Sequence, residues 1–321
     1  MAENNWGALK ELAGRYMAAA ESDALFTKRR TGFENLDGTG KFELDGQKQI
    51  FSPQIYFIGA PPSAGKTTWA LQLLSQLADR GEECLFLSYE MGERSLFRKL
   101  ISRRLFEKKQ DGEKVNLLSG SDIRRAGLTN DDVNLVITEL AENSKLRILR
   151  VDWEASTLIK KLYDFVGALD RPPVICLDYL QLVPNKAEKT AKDKIDSLLP
   201  LLRKFQVETN STLILISSFN RANGMMSEAT FSSFKESGAI EYTADVLLVL
   251  EPVIKGTESM TEADKRERKK KIRAMRLRCL KAREDSLYEV FFRYHAVYDV
   301  FVPCSEHEVF EEPDAQPRHC K

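Results

Sequence analysis

A glycine, a lysine and two threonines stand close together in the segment APPSAGKTT, residues 60–68, which follows an apolar run and precedes a helical pattern. Backbone N–H groups of such a loop point inward and form a nest for an anion, and the following helix adds the positive end of its dipole. This strand–loop–helix context is what a P-loop requires. We therefore predict that the triphosphate of ATP is bound by Ala60, Pro61, Pro62, Ser63, Ala64, Gly65, Lys66, Thr67 and Thr68.

The polar side chains of this loop have separate expected roles. Lys66 would reach the β- and γ-phosphates as a point charge, Thr67 would bind Mg²⁺ through its hydroxyl, and Thr68 would hold the region of the α-phosphate. The glycine that usually opens the motif is replaced by Ala60. ATP and Mg²⁺ are thus the predicted cofactors.

Two carboxylates complete the predicted site, because a P-loop ATPase needs one for the metal ion and one to orient the attacking water. Asp178 ends the apolar run VICLD, which delivers it to the carboxyl edge of a parallel sheet, where ligands bind. Glu90 follows the run CLFLS, which we expect to neighbour the P-loop strand, so Glu90 is predicted to be the general base beside the γ-phosphate. The alternatives are an Asp that caps a helix or turn and a solvated Glu.

These residues depend on short apolar runs that alternate with helical segments. The runs cover residues 55–60, 84–88, 146–151, 174–178, 213–217 and 246–250. They lack polar alternation, which predicts an α/β fold with a mostly parallel sheet and helices on both faces. Predicted helices include Lys66–Arg80 and Glu93–Glu107. A further helix within residues 195–209 contains Pro200, so it either begins near Ser197–Leu198 or is kinked.

The two ends of the chain have different patterns. Residues 276–283 and 287–294 predict an antiparallel hairpin at the edge of the sheet. We expect an N-terminal helix and linker (1–45), an ATPase domain (46–303) and an acidic tail (304–321). The N-terminal helix would pack on its own core or dock on a neighbouring subunit.

Composition restricts the class of protein. The chain has 48 lysines and arginines and 48 aspartates and glutamates, so its net charge gives no indication of a polyanionic partner. The five cysteines are dispersed, which favours a reducing cytosol over secretion. We find no signal peptide and no apolar run of the roughly 20 residues that span a bilayer. A soluble, cytoplasmic protein without a membrane partner is expected.

Several motifs, taken together and in order, resemble the C-terminal ATPase of DnaB-type replicative helicases. That family's loop typically opens with Ala, as Ala60 does here. The other matching residues are Ser88-Tyr89-Glu90-Met91, Asp178-Tyr179-Leu180-Gln181-Leu182, Asn220-Arg221, Glu236–Glu241 with Ala244-Asp245, and Lys281 with Arg283. The similarity covers roughly Thr31 to Val302.

The resemblance implies a RecA-like core, a ring that is usually hexameric, and ATP held between subunits. In that arrangement Lys281 and Arg283 would reach the neighbour's γ-phosphate, whereas the alternative is that both are surface charges. Three features depart from the family: only a short predicted helix precedes Thr31, Ser218 stands where the family usually has Gln, and Glu284-Asp285 replaces an expected glycine.

Two further segments are candidates for loops that hold single-stranded DNA, Pro184–Lys194 and Arg221–Lys235. Their predicted DNA-binding residues are Lys186, Lys189, Lys192, Arg221 and Lys235. The alternative for both is a solvated loop. The basic run 265–278 is an additional DNA-binding candidate or, equally, a solvated hairpin arm.

The sequence therefore predicts a DnaB-type DNA helicase or translocase motor that hydrolyses ATP at subunit interfaces. Its expected partners are single-stranded DNA, copies of itself in a ring and a replication protein. The alternative is a RecA-like switch, scaffold or loader that does not unwind DNA.

Overall fold

The computed structural model describes residues 29–40, 42–44, 47–49, 51–126, 129–143, 145–188, 190–219, 229–234, 237–254 and 259–310. The predicted N-terminal helix, most of the acidic tail and the Asn220-Arg221 pair lie outside these residues.

The predicted apolar runs form strands close to their expected bounds. The strands are β1 Phe42–Leu44, β2 Gln47–Gln49, β3 Ile55–Ala60, β4 Cys84–Ser88, β5 Leu146–Arg150, β6 Val174–Asp178, β7 Thr212–Ser218, β8 Val246–Pro252, β9 Ile272–Ala282, β10 Glu289–His295 and β11 Val300–Cys304. β1 and β2 form a small antiparallel sheet of their own, and the others form one nine-stranded sheet.

The large sheet has the order β11-β10-β9-β8-β3-β7-β6-β4-β5. The strands from β8 to β5 are parallel to each other, and β9, β10 and β11 are antiparallel to their neighbours. This confirms the predicted α/β class and the antiparallel hairpin. The hairpin is not the edge itself, because β11 adds a further strand outside it.

The strand order corrects one prediction about Glu90. β3 pairs with β7 and β8, so β4 is separated from the P-loop strand by β6 and β7. Sequence order does not fix spatial order in a sheet of this kind, because each helical crossover can place the next strand at a distance. β5 is also an exception: it is the last strand of the sheet and its side chains are half-buried or exposed, so it is not covered on both faces.

The described helices connect and cover these strands. They are α1 Glu34–Asp37, α2 Lys66–Asp79, α3 Glu93–Gln110, α4 Gly120–Ala126, α5 Asp131–Asn143, α6 Ala155–Val166, α7 Ala191–Thr209, α8 Ser237–Thr243 and α9 Met260–Arg268. α7 begins earlier than predicted because the Thr190 hydroxyl accepts a hydrogen bond from the Asp193 N–H at 3.0 Å and caps the helix. The predicted start near Ser197 is wrong, and Pro200 lies inside the helix.

Two apolar clusters form the core, one on each face of the sheet. Alternate residues of β3 point to opposite clusters: Tyr56 and Ile58 join α2 and α3, whereas Ile55 and Phe57 join α6 and α7. This is the arrangement that a continuously apolar parallel strand requires. None of the helices that the structure describes combines the length and apolarity needed to cross a membrane.

Residues 31–40 pack onto the first cluster rather than forming a loose linker. Phe33 is buried and stacks on Trp69 with ring centroids 5.4 Å apart. The buried Asp37 carboxylate accepts hydrogen bonds from the N–H of Thr31 at 2.7 Å and of Gly32 at 3.1 Å. Thr31, Phe33 and Asp37 therefore have a structural role at the entry to the fold. The domain bounds given above stay predictions.

Candidate functional site

The loop 60–65 connects β3 to α2 and has the geometry of a phosphate nest. Gly65 has a φ of +98° and Ser63 a φ of +62°, so the backbone turns its amides inward twice before α2 begins at Lys66. A Cβ on Gly65 would lie 2.8 Å from Phe301 Cζ and 3.1 Å from Tyr294 Cε1. Glycine is needed here both for its φ and for the close approach of β10 and β11.

Two arginines from the basic run 265–278 hold the outer side of this loop. Arg268 donates to the Pro62 carbonyl, and Arg273 Nη1 donates to the Ser63 carbonyl at 2.9 Å. The Arg273 guanidinium also lies over the Tyr294 ring, 5.5 Å from its centroid. This part of the run contacts the phosphate loop, an arrangement that neither sequence alternative anticipated.

Lys66 lies at the start of α2 and is half-buried. Its Nζ donates to the Ala60 carbonyl at 3.4 Å. Burial lowers the pKa of the Lys66 ammonium, and the nearby carboxylates of Asp178 and Glu90 act in the opposite direction. The structure thus brings the predicted lysine and both predicted carboxylates within electrostatic range of each other.

Asp178 is the last residue of β6 and is only 1% exposed. Neither of its carboxyl oxygens has a hydrogen-bond partner among the described residues. Burial raises the pKa of Asp178 to about 6; the Thr67 hydroxyl is close enough to favour the ionised form, although its geometry falls short of a hydrogen bond to either oxygen. A buried carboxylate without partners is costly, so it indicates a position that a cation fills.

The residues present fit Mg²⁺. The Asp178 oxygens at the end of β6 and the Thr67 hydroxyl on α2 are possible oxygen ligands. Mg²⁺ usually takes few protein ligands, with phosphates and water completing its shell. Among the described residues, no cluster of three or more His, Cys, Asp or Glu could form an all-protein metal cage.

Glu90 lies just beyond β4 and is exposed. The N–H groups of Glu90 and Met91 donate to the Ser88 hydroxyl at 3.3 and 2.8 Å, which fixes the turn after the strand. Ser88 stands opposite Asp178 in the β4–β6 register. Glu90 therefore reaches the site beside Asp178, although its strand does not touch β3.

An ion pair between Lys99 and Asp299, which the sequence did not predict, lies beside Thr68. The Thr68 hydroxyl accepts from Lys99 Nζ at 3.2 Å and is 3.4 Å from Asp299 Oδ1, and Lys99 pairs with Asp299 at 2.5 Å. The hydroxyl is therefore engaged by side chains, so a contact of Thr68 with a phosphate would come from its backbone N–H in the first turn of α2. Lys99 and Asp299 are far apart in sequence, so no local pattern signalled the pair.

Lys281 and Arg283 lie at the other end of the sheet from the chain's own phosphate loop. β9 runs antiparallel to β8, with Ala282 opposite Val246 at the start of β8. Lys281 Nζ donates to the Glu241 carbonyl at 2.6 Å and Arg283 Nη2 to the Tyr242 carbonyl at 3.0 Å. Within one subunit these residues cannot contact the phosphates that Lys66 would bind.

The predicted DNA-binding residues are only partly described. Lys186 is 88% exposed and pairs with Glu154 at 2.5 Å. Lys192 is exposed on the first turn of α7, so the prediction that it lies in a loop is wrong. Lys189, Arg221 and Lys235 lie outside the described residues.

Comparison with known proteins finds replicative DNA helicases both by family model and by sequence similarity. The family model described as DnaB-like helicase C terminal domain matches residues 30–302. A probable plasmid replicative DNA helicase of Chlamydia muridarum is 25% identical over 253 residues, 76% of this chain and 51% of that protein. The chain thus spans about half the length of the curated relatives it matches.

Two solved structures show the same fold. The ATPase domain of G40P has a TM-score of 0.72 at 22% identity and covers 93% of this chain and 99% of its own. A DnaB-like replicative helicase, described with its interactions with primase, has a TM-score of 0.68 at 21% identity over 92% of this chain and 66% of that one. At these identities the likeness establishes the fold, which is RecA-like.

Proposed function

This chain belongs to the family of DnaB-like helicase C-terminal domains, and from that premise we propose that it is an ATP-hydrolysing motor that moves on single-stranded DNA. The observation that carries the proposal is the unpartnered, buried Asp178 carboxylate facing Lys66 behind a phosphate nest. This set of groups matches what phosphoryl transfer from ATP to water needs: an anion cradle, a cation, a metal carboxylate and a base.

ATP binding follows from the loop. Pro61 and Pro62 have no backbone N–H, so the N–H groups of residues 63–65 and the N-terminus of α2 would hold the phosphates, with Lys66 Nζ moving from the Ala60 carbonyl to the β- and γ-phosphates. Thr67 and Asp178 would hold Mg²⁺. Mg²⁺ held there would supply positive charge against the negative charge of the phosphates.

We propose that Glu90 acts on the attacking water. Its carboxylate is exposed beside Asp178 and would orient a water molecule for attack on the γ-phosphorus and accept its proton. The new P–O bond forms to the water oxygen, the bond to the ADP oxygen breaks, and the proton passes from Glu90 to solvent.

Completion of the site by a second subunit is supported by the position of Lys281 and Arg283. These two cations lie at the sheet end opposite the chain's own loop, where a neighbour's phosphate could approach them. We propose a homo-oligomeric ring, a hexamer as in the family, in which they stabilise the γ-phosphate across each interface.

DNA binding is proposed for the segments Pro184–Lys194 and Arg221–Lys235. Lys186, Lys189, Lys192, Arg221 and Lys235 would contact phosphates without reading sequence. Since one structural relative is described with its primase interactions, a replication protein is the proposed further partner.

The test is ATP turnover of the purified chain with and without single-stranded DNA, combined with strand displacement on a forked duplex. We expect DNA to stimulate hydrolysis, the stimulation to weaken steeply as salt rises, and the duplex to separate. Turnover that ignores DNA at low salt would contradict the motor.

The second candidate is a nucleotide-dependent switch, scaffold or loader. It is favoured by Ser218, whose short side chain stands where the family usually has a glutamine. It predicts ATP-dependent assembly without strand displacement, so the same pair of assays separates the two functions.

A further inference from the structure

Three cations meet at the last turn of α8, at the end of the sheet opposite the phosphate loop. Lys281 and Arg283 each donate to one carbonyl of this turn, and Arg203 of α7 donates to a third, that of Thr243. Carbonyls at a helix C-terminus lack partners within the helix and lie at the negative end of its dipole, so they favour cations. Arg203 therefore stands beside the two residues that we propose act on a neighbouring subunit.

The Asp245 carboxylate lies between Arg203 and Arg283. Its side chain is 6% exposed, and it accepts two parallel hydrogen bonds from Arg203, Nη1 to Oδ2 at 2.7 Å and Nη2 to Oδ1 at 2.9 Å. Arg283 Nη1 is 3.4 Å from Oδ1, and the Arg283 side chain is 51% exposed. The pair with Arg203 is thus close and bidentate, whereas the contact with Arg283 is long and open to solvent.

Main-chain hydrogen bonds fix Asp245 at the beginning of β3. The Ile55 N–H donates to Asp245 Oδ2 at 2.9 Å, and the Asp245 N–H donates to the Ile55 carbonyl at 3.0 Å. The Arg283 N–H donates to the Asp245 carbonyl at 3.0 Å. The carboxylate therefore keeps its place, and the backbone of Arg283 stays beside it whatever the Arg283 side chain contacts.

A carboxylate as buried as that of Asp245 requires a cation close to it, because an unpaired buried charge is costly. Arg203 meets this requirement. The Arg283 guanidinium is therefore not needed as the partner of Asp245, and the contact between them is of the weak, exposed kind. If Arg203 were absent, Arg283, which is already near Oδ1, would close on the carboxylate and be held there.

We propose that Arg203 is a positioning residue that neutralises Asp245 and thereby leaves the Arg283 side chain available to the ATP of the neighbouring subunit. The inference rests on the proposed function, because it takes Arg283 as the group that stabilises the neighbour's γ-phosphate. Arg203 touches no nucleotide in this arrangement and acts only through Arg283.

The first experiment compares Arg203→Gln with wild type in steady-state ATP hydrolysis. We expect kcat to fall about tenfold or more, a part of the 10³–10⁵-fold that an arginine finger contributes. KM for ATP should stay close to the wild-type value, because the variant's own phosphate loop is unchanged. Lys204→Gln is the matched control and should keep wild-type turnover, since Lys204 is the next residue of α7, is 70% exposed and pairs with Glu208 at 3.8 Å.

Mixed oligomers show in which subunit Arg203 acts. Mixing Arg203→Gln with Glu90→Gln should restore turnover, because the intact loop of the first variant can meet an available Arg283 of the second. Mixing Arg203→Gln with Arg283→Ala should restore none, because neither subunit then offers an available Arg283. Recovery with Arg283→Ala, or no recovery with Glu90→Gln in oligomers shown to be mixed, would overturn the proposal. A purely structural role of Arg203 does not produce this pattern.

Arg203→Lys is the second variant, and thermal unfolding shows whether each variant is folded. Lysine keeps the positive charge but lacks the planar fork that bonds both Asp245 oxygens. We expect a Tm near that of wild type and a kcat between those of wild type and Arg203→Gln. If Arg203→Gln does not fold, Arg203→Lys takes its place in the mixing experiment. Wild-type kcat in Arg203→Lys would contradict the need for the bidentate pair.

The outcomes separate this inference from the proposed function. If Arg283→Ala is inactive while Arg203→Gln keeps wild-type kcat, the inference is wrong and the motor stands. If Arg283→Ala keeps wild-type kcat, the proposed role of Arg283 fails and the inference fails with it. If wild type hydrolyses ATP but ignores single-stranded DNA at low salt, the motor fails, whereas the mixing pattern still decides the role of Arg203.

Discussion

At the scale of single residues, Asp178 and Glu90 illustrate how two carboxylates of one site differ. Asp178 is buried and has no hydrogen-bond partner among the described residues, whereas Glu90 is exposed at the end of the neighbouring strand. A buried carboxylate suits a metal ion, and an exposed one suits a water molecule. Their division of roles follows from their surroundings.

Replacement of Asp178 by Asn should stabilise the metal-free and nucleotide-free protein while abolishing turnover. The change removes a buried charge whose oxygens accept no hydrogen bond among the described residues, and such an unsatisfied group costs about 1–3 kcal/mol of folding free energy. Thermal unfolding without Mg²⁺ measures the first effect, and an ATPase assay measures the second. A lower Tm in the variant would show that the carboxylate has a stabilising partner.

Replacement of Glu90 by Gln should leave ATP binding intact and lower kcat by about 10²–10⁴-fold, the usual contribution of a general base. Binding of a fluorescent ATP analogue and steady-state hydrolysis report the two properties. Glu113→Gln is a matched control, since Glu113 is exposed and pairs with Lys108 at 3.2 Å, remote from the loop. Normal turnover in Glu90→Gln would remove Glu90 from this role.

At the scale of secondary-structure elements, the antiparallel strands β10 and β11 support the phosphate loop. Tyr294 and Phe301 stack with centroids 4.1 Å apart beneath Gly65, and the Gln72 side chain on α2 bonds to both the N–H and the carbonyl of Phe301. The turn between these strands supplies Asp299 to the Lys99 pair. The strands β10 and β11 and the turn between them thus fix the first two turns of α2.

Lys99→Met should weaken ATP binding by removing the cation that holds the Thr68 hydroxyl and Asp299 together. We expect KM for ATP to rise more than kcat falls, because the loop loses preorganisation while Glu90 is untouched. Lys99→Arg should restore most of the affinity. An unchanged KM in Lys99→Met would show that the pair has no positioning role.

His295, at the end of β10, should make stability fall in acid. Burial lowers the pKa of His295 to about 4, below the unfolded value of about 6.5, so the unfolded chain binds the proton more readily. The free energy of unfolding is therefore highest above pH 6.5, where His295 is neutral in both states, and it falls as the pH is lowered toward 4, because only the unfolded chain is then protonated there. His295→Phe, which keeps the contact with Phe106, should lose less Tm between pH 7 and 5 than wild type.

At the scale of the whole molecule, the sheet separates the two groups of residues that we propose for the active site. The phosphate loop and its carboxylates lie at the carboxyl edge of the parallel strands, and Lys281 and Arg283 lie at the opposite edge. One subunit therefore cannot bring all of these groups to one ATP. This separation is the structural reason to expect assembly.

Mixing two inactive variants tests that expectation. Arg283→Ala should reduce turnover by about 10³–10⁵-fold, the range for an arginine finger, and Glu90→Gln should be inactive too. In mixed rings, an Arg283→Ala loop next to a Glu90→Gln neighbour has both groups intact, so activity should reappear. Absence of any recovery in proven mixed oligomers would place Arg283 outside the neighbour's site.

The amino-acid sequence alone determined the strands β3 to β10, the loop between β3 and α2 and the strand-end position of Asp178. These depend on local patterns, namely short apolar runs without polar alternation and a glycine-lysine-threonine sequence between a strand and a helix. The family motifs also extended this interpretation along most of the chain, and the family model confirmed it.

Tertiary structure decided the rest. The structure alone shows that β4 is separated from β3 by two other strands. It also shows two contacts between residues far apart in sequence: the Lys99–Asp299 pair with Thr68, and the rings of Phe219 and Phe234 with Gly59. A local pattern carries no information on such contacts, because they depend on which strands and helices the packed core brings together. For example, Ser218 in place of the family's usual Gln is visible in the sequence, whereas the contact of the two rings with Gly59 is visible only in the structure.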